Sequence, residues 1–136
     1  MGRFDQQVAV VTGAAHGIGY ATARRLAREG ARVVVADLDS DAAAKAAADV
    51  VADGGQALAR QCDVCDEESV RQTAAVAVER FGGVDVLVNN VGIAGNTPFV
   101  DVDDAEWDRQ FDPTLRGAMR CVRAFLPHLL AARGGG

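Results

Sequence analysis

The stretch VAVVTGAAHGIGYATARRLA, which runs from Val8 to Ala27, decides the fold of this chain. It begins with an apolar run that ends at Thr12, as expected of a strand buried on both faces, and it continues as an amphipathic, helix-like run. Three glycines lie between the two runs: Gly13, Gly17 and Gly19. Glycines allow a sharp turn and a close approach of backbone to ligand, and the free N–H groups of a helix start attract phosphate. The stretch therefore predicts a phosphate-binding turn, and a plain strand-to-helix turn is the alternative.

The composition favours one compact domain over residues 1–136, since a chain of this length can bury a core without metals or disulfides. Hydrophobic residues make up 49% of the 136 residues, and the net charge is −5. An acidic chain is a poor partner for a nucleic-acid backbone, and no apolar run reaches the length of a membrane span. The first residues do not resemble a secretory signal peptide, and the number of cysteines, three, is odd. Together these features predict a cytoplasmic location.

Short β-branched runs alternate with longer amphipathic runs, which predicts a parallel sheet with helices on both faces. The predicted strands are Val8–Thr12, Arg32–Ala36, Gln56–Cys62 and Val84–Asn89. The predicted helices begin near Gly17, at Asp39 or Ser40, and near Asp66 and Asp103. A last helix begins afresh at Asp112, where Pro113 suits a first helical position. Ligands of such sheets bind beyond the carboxyl ends of the strands.

Polar side chains stand where the second, third and fourth strands end. Asp37 follows the second strand, where a carboxylate can accept hydrogen bonds from an adenosine ribose and repel a 2′-phosphate. Its alternative role is that of an acid at the start of the second helix, close to Asp39. Asp63 is predicted to accept from an adenine amino group. Asn89 and Asn90, in an apolar context, need partners and are predicted to brace the neighbouring loops.

In chain order, TGAAHGIG (12–19), Asp37, Asp63-Val64 and NNVG (89–92) resemble the short-chain dehydrogenase/reductase family, of the type with a TGxxxGIG turn and an NNAG motif. The resemblance implies a Rossmann-type, doubly wound α/β fold with strand order 3-2-1-4. It also implies a nicotinamide dinucleotide that exchanges a hydride with an alcohol or carbonyl carbon of a small molecule.

The resemblance further implies which residues hold the cofactor. They are Gly13, His16, Gly17, Ile18, Gly19, Asp37, Leu38, Asp63, Val64, Asn90 and Gly92. For His16, a solvent-facing turn residue is the alternative. Relatives that prefer NADP commonly carry a basic residue where this chain has His16 and Leu38, so NAD is the expected cofactor.

The residues that the resemblance would assign to catalysis are missing from this sequence. The family uses a Ser, a Tyr and a Lys, the last two as Tyr-x3-Lys, with a supporting Asn. The chain has one tyrosine, Tyr20, and one lysine, Lys45, too far apart for that motif, and its serines stand at predicted helix starts. Thr114, beside Pro113, stands where the family has Asn. No catalytic residue is therefore assigned, and a non-catalytic nucleotide-binding or interaction module is the alternative function.

The resemblance covers the whole chain but only the cofactor-binding half of the family fold. In relatives, a glycine-rich turn like that at 134–136 leads into a fifth strand, so the chain is expected to be truncated before strand 5. The fourth strand then becomes an apolar edge, which favours self-association. A homo-oligomer is expected, through this edge or through the predicted helix 114–133. The apolar residues of that helix could be core or interface; they are Leu115, Met119, Val122, Leu126 and Leu129.

Two further patterns have simpler explanations than a binding site. Cys62 and Cys65 form a C-x-x-C, but a metal needs a second pair of ligands. We therefore expect a buried Cys62, a loop Cys65 and no metal. The arginines of the last predicted helix, Arg116, Arg120 and Arg123, form a basic stripe. A solvated face is the expectation for this stripe, and partner binding is the alternative.

Overall fold

Four parallel strands form one sheet in the order β3-β2-β1-β4, as the resemblance implies. The computed structural model describes residues 2–132, and within them the strands are β1 (Val8–Thr12), β2 (Arg32–Asp37), β3 (Gln56–Gln61) and β4 (Val86–Val88). In the centre, Val10 of β1 lies between Val34 of β2 and Leu87 of β4. Every residue of β1 is buried, which fits an apolar run covered on both faces.

Helices connect the strands and cover both faces of the sheet. They are α1 (Gly17–Arg28), α2 (Ser40–Ala52), α3 (Glu67–Phe81), α4 (Asp104–Phe111) and α5 (Gly117–Ala131). One layer of the core packs α1 and α2 around Val33 and Val35, and the other packs α3 and α5 around Val34 and Phe125. The chain therefore has the doubly wound Rossmann-type fold. Among residues 2–132, no helix combines the length and apolar character that a membrane crossing requires.

The strand β4 is shorter than the predicted Val84–Asn89, because side chains take over the pairing at both of its ends. At its start, the Asp85 N–H donates to the Val8 carbonyl, and the Asp85 carboxylate accepts from the Val8 N–H at 2.7 Å. At its end, the Asn90 N–H donates to Thr12 Oγ1 at 3.1 Å rather than to a backbone carbonyl. Asn90 is thereby fixed at the carboxyl edge of the sheet.

The predicted fresh helix start at Asp112 is wrong. Asp112 has helical backbone angles, φ −62° and ψ −53°, and the chain continues from α4 through one π-helical turn, Asp112–Arg116, into α5. Pro113 has no N–H to donate to an α-helical ladder. The wider turn instead closes through a bond from the Gly117 N–H to the Asp112 carbonyl. The Asp112 carboxylate accepts from Arg120 and caps no helix.

The sequence left core and interface open as roles for the apolar stripe of α5, and the structure excludes core for most of its residues. The buried residues of α5 are Gly117, Cys121 and Phe125, and Leu129 is partly buried. The other members of the predicted apolar stripe are exposed; they are Leu115, Met119, Val122 and Leu126. The small residues Gly117 and Cys121 let α5 approach the sheet closely, and Phe125 packs in the same buried face. The end of the predicted helix at 133, and the glycines at 134–136, lie outside the described residues.

The predicted basic stripe divides into two kinds of arginine. Arg116 and Arg123 are more than half exposed and pair with Asp108 at 3.7 Å and Glu67 at 3.1 Å. Arg120 is mostly buried, so a solvated face is the wrong description for it.

The predicted positions of the two cysteines are confirmed, since Cys62 is buried and Cys65 is exposed in the turn after β3. The described part of the chain brings no three metal-ligating side chains together.

Candidate functional site

The carboxyl ends of the strands open onto a cavity of about 770 Å³. Its position, beside the point where the strand order reverses between β1 and β4, is where ligands of doubly wound sheets bind. The predicted site residues in its wall are Gly13, Asp37, Leu38, Asp63, Val64, Asn90 and Gly92. The remaining predicted residues, His16, Gly17, Ile18 and Gly19, lie outside this wall, at the start of α1.

The turn after β1 needs glycine at two positions for different reasons. Gly13 has φ +62°, a conformation that residues with a side chain rarely adopt. Gly19 is packed, and a Cβ there would collide with the Gly13 carbonyl oxygen and with Asn90 Nδ2. Asn90 Nδ2 itself donates to the Gly13 carbonyl at 3.1 Å. Asn90 therefore braces the turn, as predicted, while Asn89 is exposed.

The start of α1 is left open. His16 occupies the N-cap position and makes no side-chain cap bond. By contrast, α2, α3 and α4 each begin behind an aspartate whose carboxylate accepts from the first turn; these are Asp39, Asp66 and Asp103. His16, Gly17 and Ile18 are exposed, with Ile18 at 81%. The first N–H groups of a helix have no intrahelical acceptor, and the helix dipole makes this end positive. The arrangement suits an anion such as a pyrophosphate.

Two backbone donors hold the Asp37 carboxylate in the cavity wall. Oδ2 accepts from the Ala15 N–H at 3.1 Å, and Oδ1 accepts from the Asp39 N–H at 3.0 Å. Because a carboxylate can accept about four hydrogen bonds, the group can still accept from a ligand diol. The cap of α2 is Asp39, which accepts from the Ala42 N–H, and Asp37 lies two residues before this cap and bonds to its N–H.

The turn after β3 forms another part of the wall. Asp63 Oδ1 accepts from the Cys65 N–H at 2.9 Å, and the Asp63 N–H donates to Ser69 Oγ at 2.9 Å. Val64 is buried against Gly117, where a Cβ would lie only 2.7 Å from Val64 Cγ2. The carboxylate of Asp63 and the methyl groups of Val64 are therefore held by their own loop and by α5.

The sequence interpretation missed the wall that α4 and the π-helical turn contribute. The residues of this wall are Asp108, Arg109, Asp112, Pro113 and Arg116. No local signal could have found them, because helical periodicity does not say over which strand ends a helix folds.

Thr114, at the position of the family's Asn, holds the loop after β4. Its hydroxyl accepts from the Ile93 N–H at 3.0 Å and donates to the Ile93 carbonyl at 3.4 Å. Ile93 lines the cavity, so this hydroxyl supports the wall.

The tyrosine, lysine and serine side chains, which share a residue type with the family's catalytic triad, lie outside the cavity wall of the described chain. Tyr20 Oη donates to Asp49 Oδ2 at 2.9 Å, and this bond to α2 raises the pKa of Tyr20. Lys45 is exposed on α2, and Ser40 is the first residue of that helix. Ser69 accepts from the Asp63 backbone. Each of these side chains is therefore either hydrogen-bonded to another residue of the described chain or exposed on its surface.

Comparisons with known proteins agree with this geometry. The chain matches the family model described as short chain dehydrogenase over residues 7–136. It is 46% identical to a probable short-chain type dehydrogenase/reductase of Bradyrhizobium diazoefficiens, in an alignment covering 100% of this chain and 50% of that protein. It is 40% identical to the meso-2,3-butanediol dehydrogenase of Serratia marcescens, over 97% of this chain and 52% of that protein. It is 38% identical to the galactitol 2-dehydrogenase of Agrobacterium fabrum, over 98% and 51%. The chain spans about half the length of the curated relatives it matches.

Proposed function

The chain belongs to the short-chain dehydrogenase family, and we propose that residues 1–136 form a single NAD(H)-binding domain of an oxidoreductase that acts on an alcohol or carbonyl group of a small molecule. The observation that carries the proposal is the fixed Asp37 carboxylate in the cavity wall, beside the open start of α1. When bound, the nicotinamide supplies the chemistry of giving or accepting a hydride.

The residues present fit such a dinucleotide in three places. The N–H groups at the start of α1 suit the pyrophosphate, and the absence of side chains at Gly13 and Gly19 lets the turn fold tightly below it. Asp37 suits the diol of the adenosine ribose. Asp63 and Val64 supply a polar group and an apolar surface for the adenine.

The charge at the end of β2 favours NAD(H) over NADP(H). The Asp37 carboxylate would repel a 2′-phosphate, and Leu38, which is 63% exposed, offers no cation in its place. The guanidinium groups in the cavity wall belong to Arg109 and Arg116, on α4 and the π-helical turn. Arg116 faces Asp108 at 3.7 Å, so its charge is partly balanced.

A second candidate function is a module that binds the nucleotide or a partner without catalysis. It rests on the sequence, which has no Tyr-x3-Lys, and on the bond that ties Tyr20 to Asp49. Under this proposal, residues 1–136 hold the cofactor and turn over no substrate by themselves.

We extend the proposal to self-association and to a cytoplasmic setting. Among the described residues, α5 exposes Met119 and Leu126, and β4 is an edge strand. The described cysteines are free thiols, as is usual in a reducing compartment.

The experiment is a fluorescence titration of the chain with NADH and with NADPH, followed by a turnover assay with a panel of alcohols and ketones. Asp37→Asn is expected to raise the NADH Kd about tenfold, since each lost charge-assisted bond is worth about 1.5 kcal/mol or more. The same variant should also reduce the ratio of the NADPH Kd to the NADH Kd. The matched control is Asp41→Asn, an exposed acid in the first turn of α2, with no expected effect.

Each outcome separates the candidates. Binding with turnover contradicts the module, and binding without turnover supports it for residues 1–136 taken by themselves. A chain that binds neither dinucleotide contradicts the oxidoreductase and the nucleotide-binding module, and equal affinity for NADPH contradicts the NAD preference. Light scattering on the same samples should give a mass above the 14.2 kDa of one chain if copies associate.

A further inference from the structure

Arg120 is the least exposed arginine among the ion pairs of residues 2–132, with 19% of its side chain exposed. It lies on α5 and reaches two acceptors from different parts of the chain. Nη1 donates to the Val64 carbonyl at 3.0 Å, and Nη2 donates to Asp112 Oδ1 at 2.6 Å. The planar guanidinium fork can hold two acceptors in a fixed relation, which a lysine ammonium does less well. Arg120 therefore connects the turn after β3 to the π-helical turn.

Both acceptors belong to the cavity wall, whereas Arg120 is behind it. Val64 and Asp112 line the cavity, and Arg120 does not. One turn earlier on α5, Gly117 leaves no room for a Cβ beside Val64. The backbone of α5 and the guanidinium of Arg120 thus hold Val64 from two sides.

The charges around Asp112 favour this connection at neutral pH. The hydrogen bond from the Arg120 guanidinium, and next the influence of the nearby Cys65 thiol, hold the pKa of the Asp112 carboxyl below its usual range. Arg116 Nη1 lies 3.9 Å from the same Asp112 oxygen. Bonds between charged groups in a partly buried setting are stronger than neutral ones. By comparison, Arg123 on the same helix is 66% exposed and pairs with Glu67 on the surface, where such pairs contribute little.

We infer that Arg120 is a positioning residue of the dinucleotide site, which fixes the turn after β3 against the π-helical turn and so sets the shape of the adenosine end of the cavity. The inference rests on the proposed function and adds to it a residue that does not touch the cofactor. We expect its main effect at the adenosine end, because Arg120 bonds directly to Val64, which follows Asp63 in the wall, and among the contacts of the described chain it makes no direct bond to the loop after β4.

The test compares Arg120→Met with Arg123→Met, which removes a guanidinium from the same helix but only a surface pair. Two probes are titrated: NADH, and ADP-ribose, which lacks the nicotinamide. Arg120→Met is expected to raise the Kd of both probes by the same factor of about ten, since both bonds to the wall are lost. Arg123→Met is expected to stay within about twofold of the unchanged chain. Arg120→Lys keeps the positive charge but lacks the planar guanidinium, so its Kd values should lie between those of the two methionine variants. If Arg120→Met does not fold, Arg120→Lys is compared with Arg123→Met instead.

Amide hydrogen exchange supplies a second readout that needs no ligand. The Cys65 and Asp66 N–H groups should exchange faster in Arg120→Met than in Arg123→Met. Unchanged ADP-ribose affinity in the Arg120 variants, in a chain that binds NADH, overturns the inference and leaves the proposed function standing. A loss of NADH affinity without loss of ADP-ribose affinity overturns it as well, because the effect would then lie at the other end of the cavity. An unchanged chain that binds neither probe overturns the proposed function together with the inference.

Discussion

The two ends of α1 are built in opposite ways. At its carboxyl end, the Glu29 carboxylate accepts from Arg3 and Arg25 at 3.0 Å each, and the Glu29 carbonyl accepts from the Phe4 N–H at 2.8 Å. At its amino end, His16 makes no side-chain cap bond, and Gly17 and Ile18 are exposed. Every helix has unpaired backbone groups at both ends. The chain satisfies carbonyls at one end of α1 with its own backbone N–H groups, and it leaves the other end without a side-chain cap, as the proposed dinucleotide site requires.

The substitution with the largest expected effect is Gly19→Ala. It should distort the open end of α1, near His16, and leave the closed end, near Glu29, intact. The new Cβ would collide with the Gly13 carbonyl oxygen and with Asn90 Nδ2, so the turn must move. We expect the NADH Kd to rise about a hundredfold, or about 2.7 kcal/mol, in a fluorescence titration. The control is Gly83→Ala, since a Cβ on Gly83 would meet no atom within 4 Å. Affinity within a few-fold of the unchanged chain would show that the turn does not hold the dinucleotide.

A smaller effect should come from closing the open end with the chain's own side chain. His16→Asp places a carboxylate at the N-cap, as Asp39 does for α2. We expect the free energy of unfolding in urea to rise by about 0.5–1 kcal/mol and the NADH Kd to rise about tenfold, because the carboxylate competes with the pyrophosphate. His16→Asn caps the helix without a charge, so it should give the gain in stability with a weaker loss of affinity. A variant that is stabilised by the carboxylate and binds as before would contradict an anion site at this end.

The smallest effect should appear at the closed end, as a dependence of stability on pH. Hydrogen bonds from Arg3, and next from Arg25, lower the pKa of Glu29 from 4.5 to about 2. A carboxyl with a depressed pKa in the folded state contributes stability above its unfolded pKa, near 4.5, and this contribution is lost as the pH falls towards 2. In Glu29→Gln, the urea concentration at the midpoint of unfolding should therefore fall less steeply as the pH is lowered over this range. NADH binding at neutral pH should be unchanged.

The size of this acid effect should be modest, because the Arg3 side chain is 70% exposed and solvent screens the pair. Added salt should reduce it further. The control is Glu79→Gln, an exposed glutamate of α3. A decline of the same steepness in the Glu29 and Glu79 variants would show that the pairs of Glu29 contribute nothing to the closed end.

Much of the fold and the strand-end half of the site could be predicted from the sequence. The predicted strand order is confirmed, and the glycine turn, Asp37, Asp63 and Asn90 meet at the carboxyl edge. They could be found because parallel strands place their carboxyl ends side by side, so the residue that follows each strand is placed by the fold alone. The wall from α4 and the π-helical turn could not be found this way, because its residues come from helix faces and not from strand ends.

By itself, the sequence determined the alternation of strands and helices, the buried centre of the sheet and the turn that requires Gly13, since these depend on local patterns and backbone conformation. Only the tertiary structure decided which face of α5 is buried, that Asp112 continues a helix, and that Arg120 lies behind the cavity wall. The physical reason is that a helix can offer more than one apolar or charged stripe. The stripe that packs is chosen by how closely the helix can approach its neighbours, and here Gly117 and Cys121 permit the contact with Val64 and the sheet.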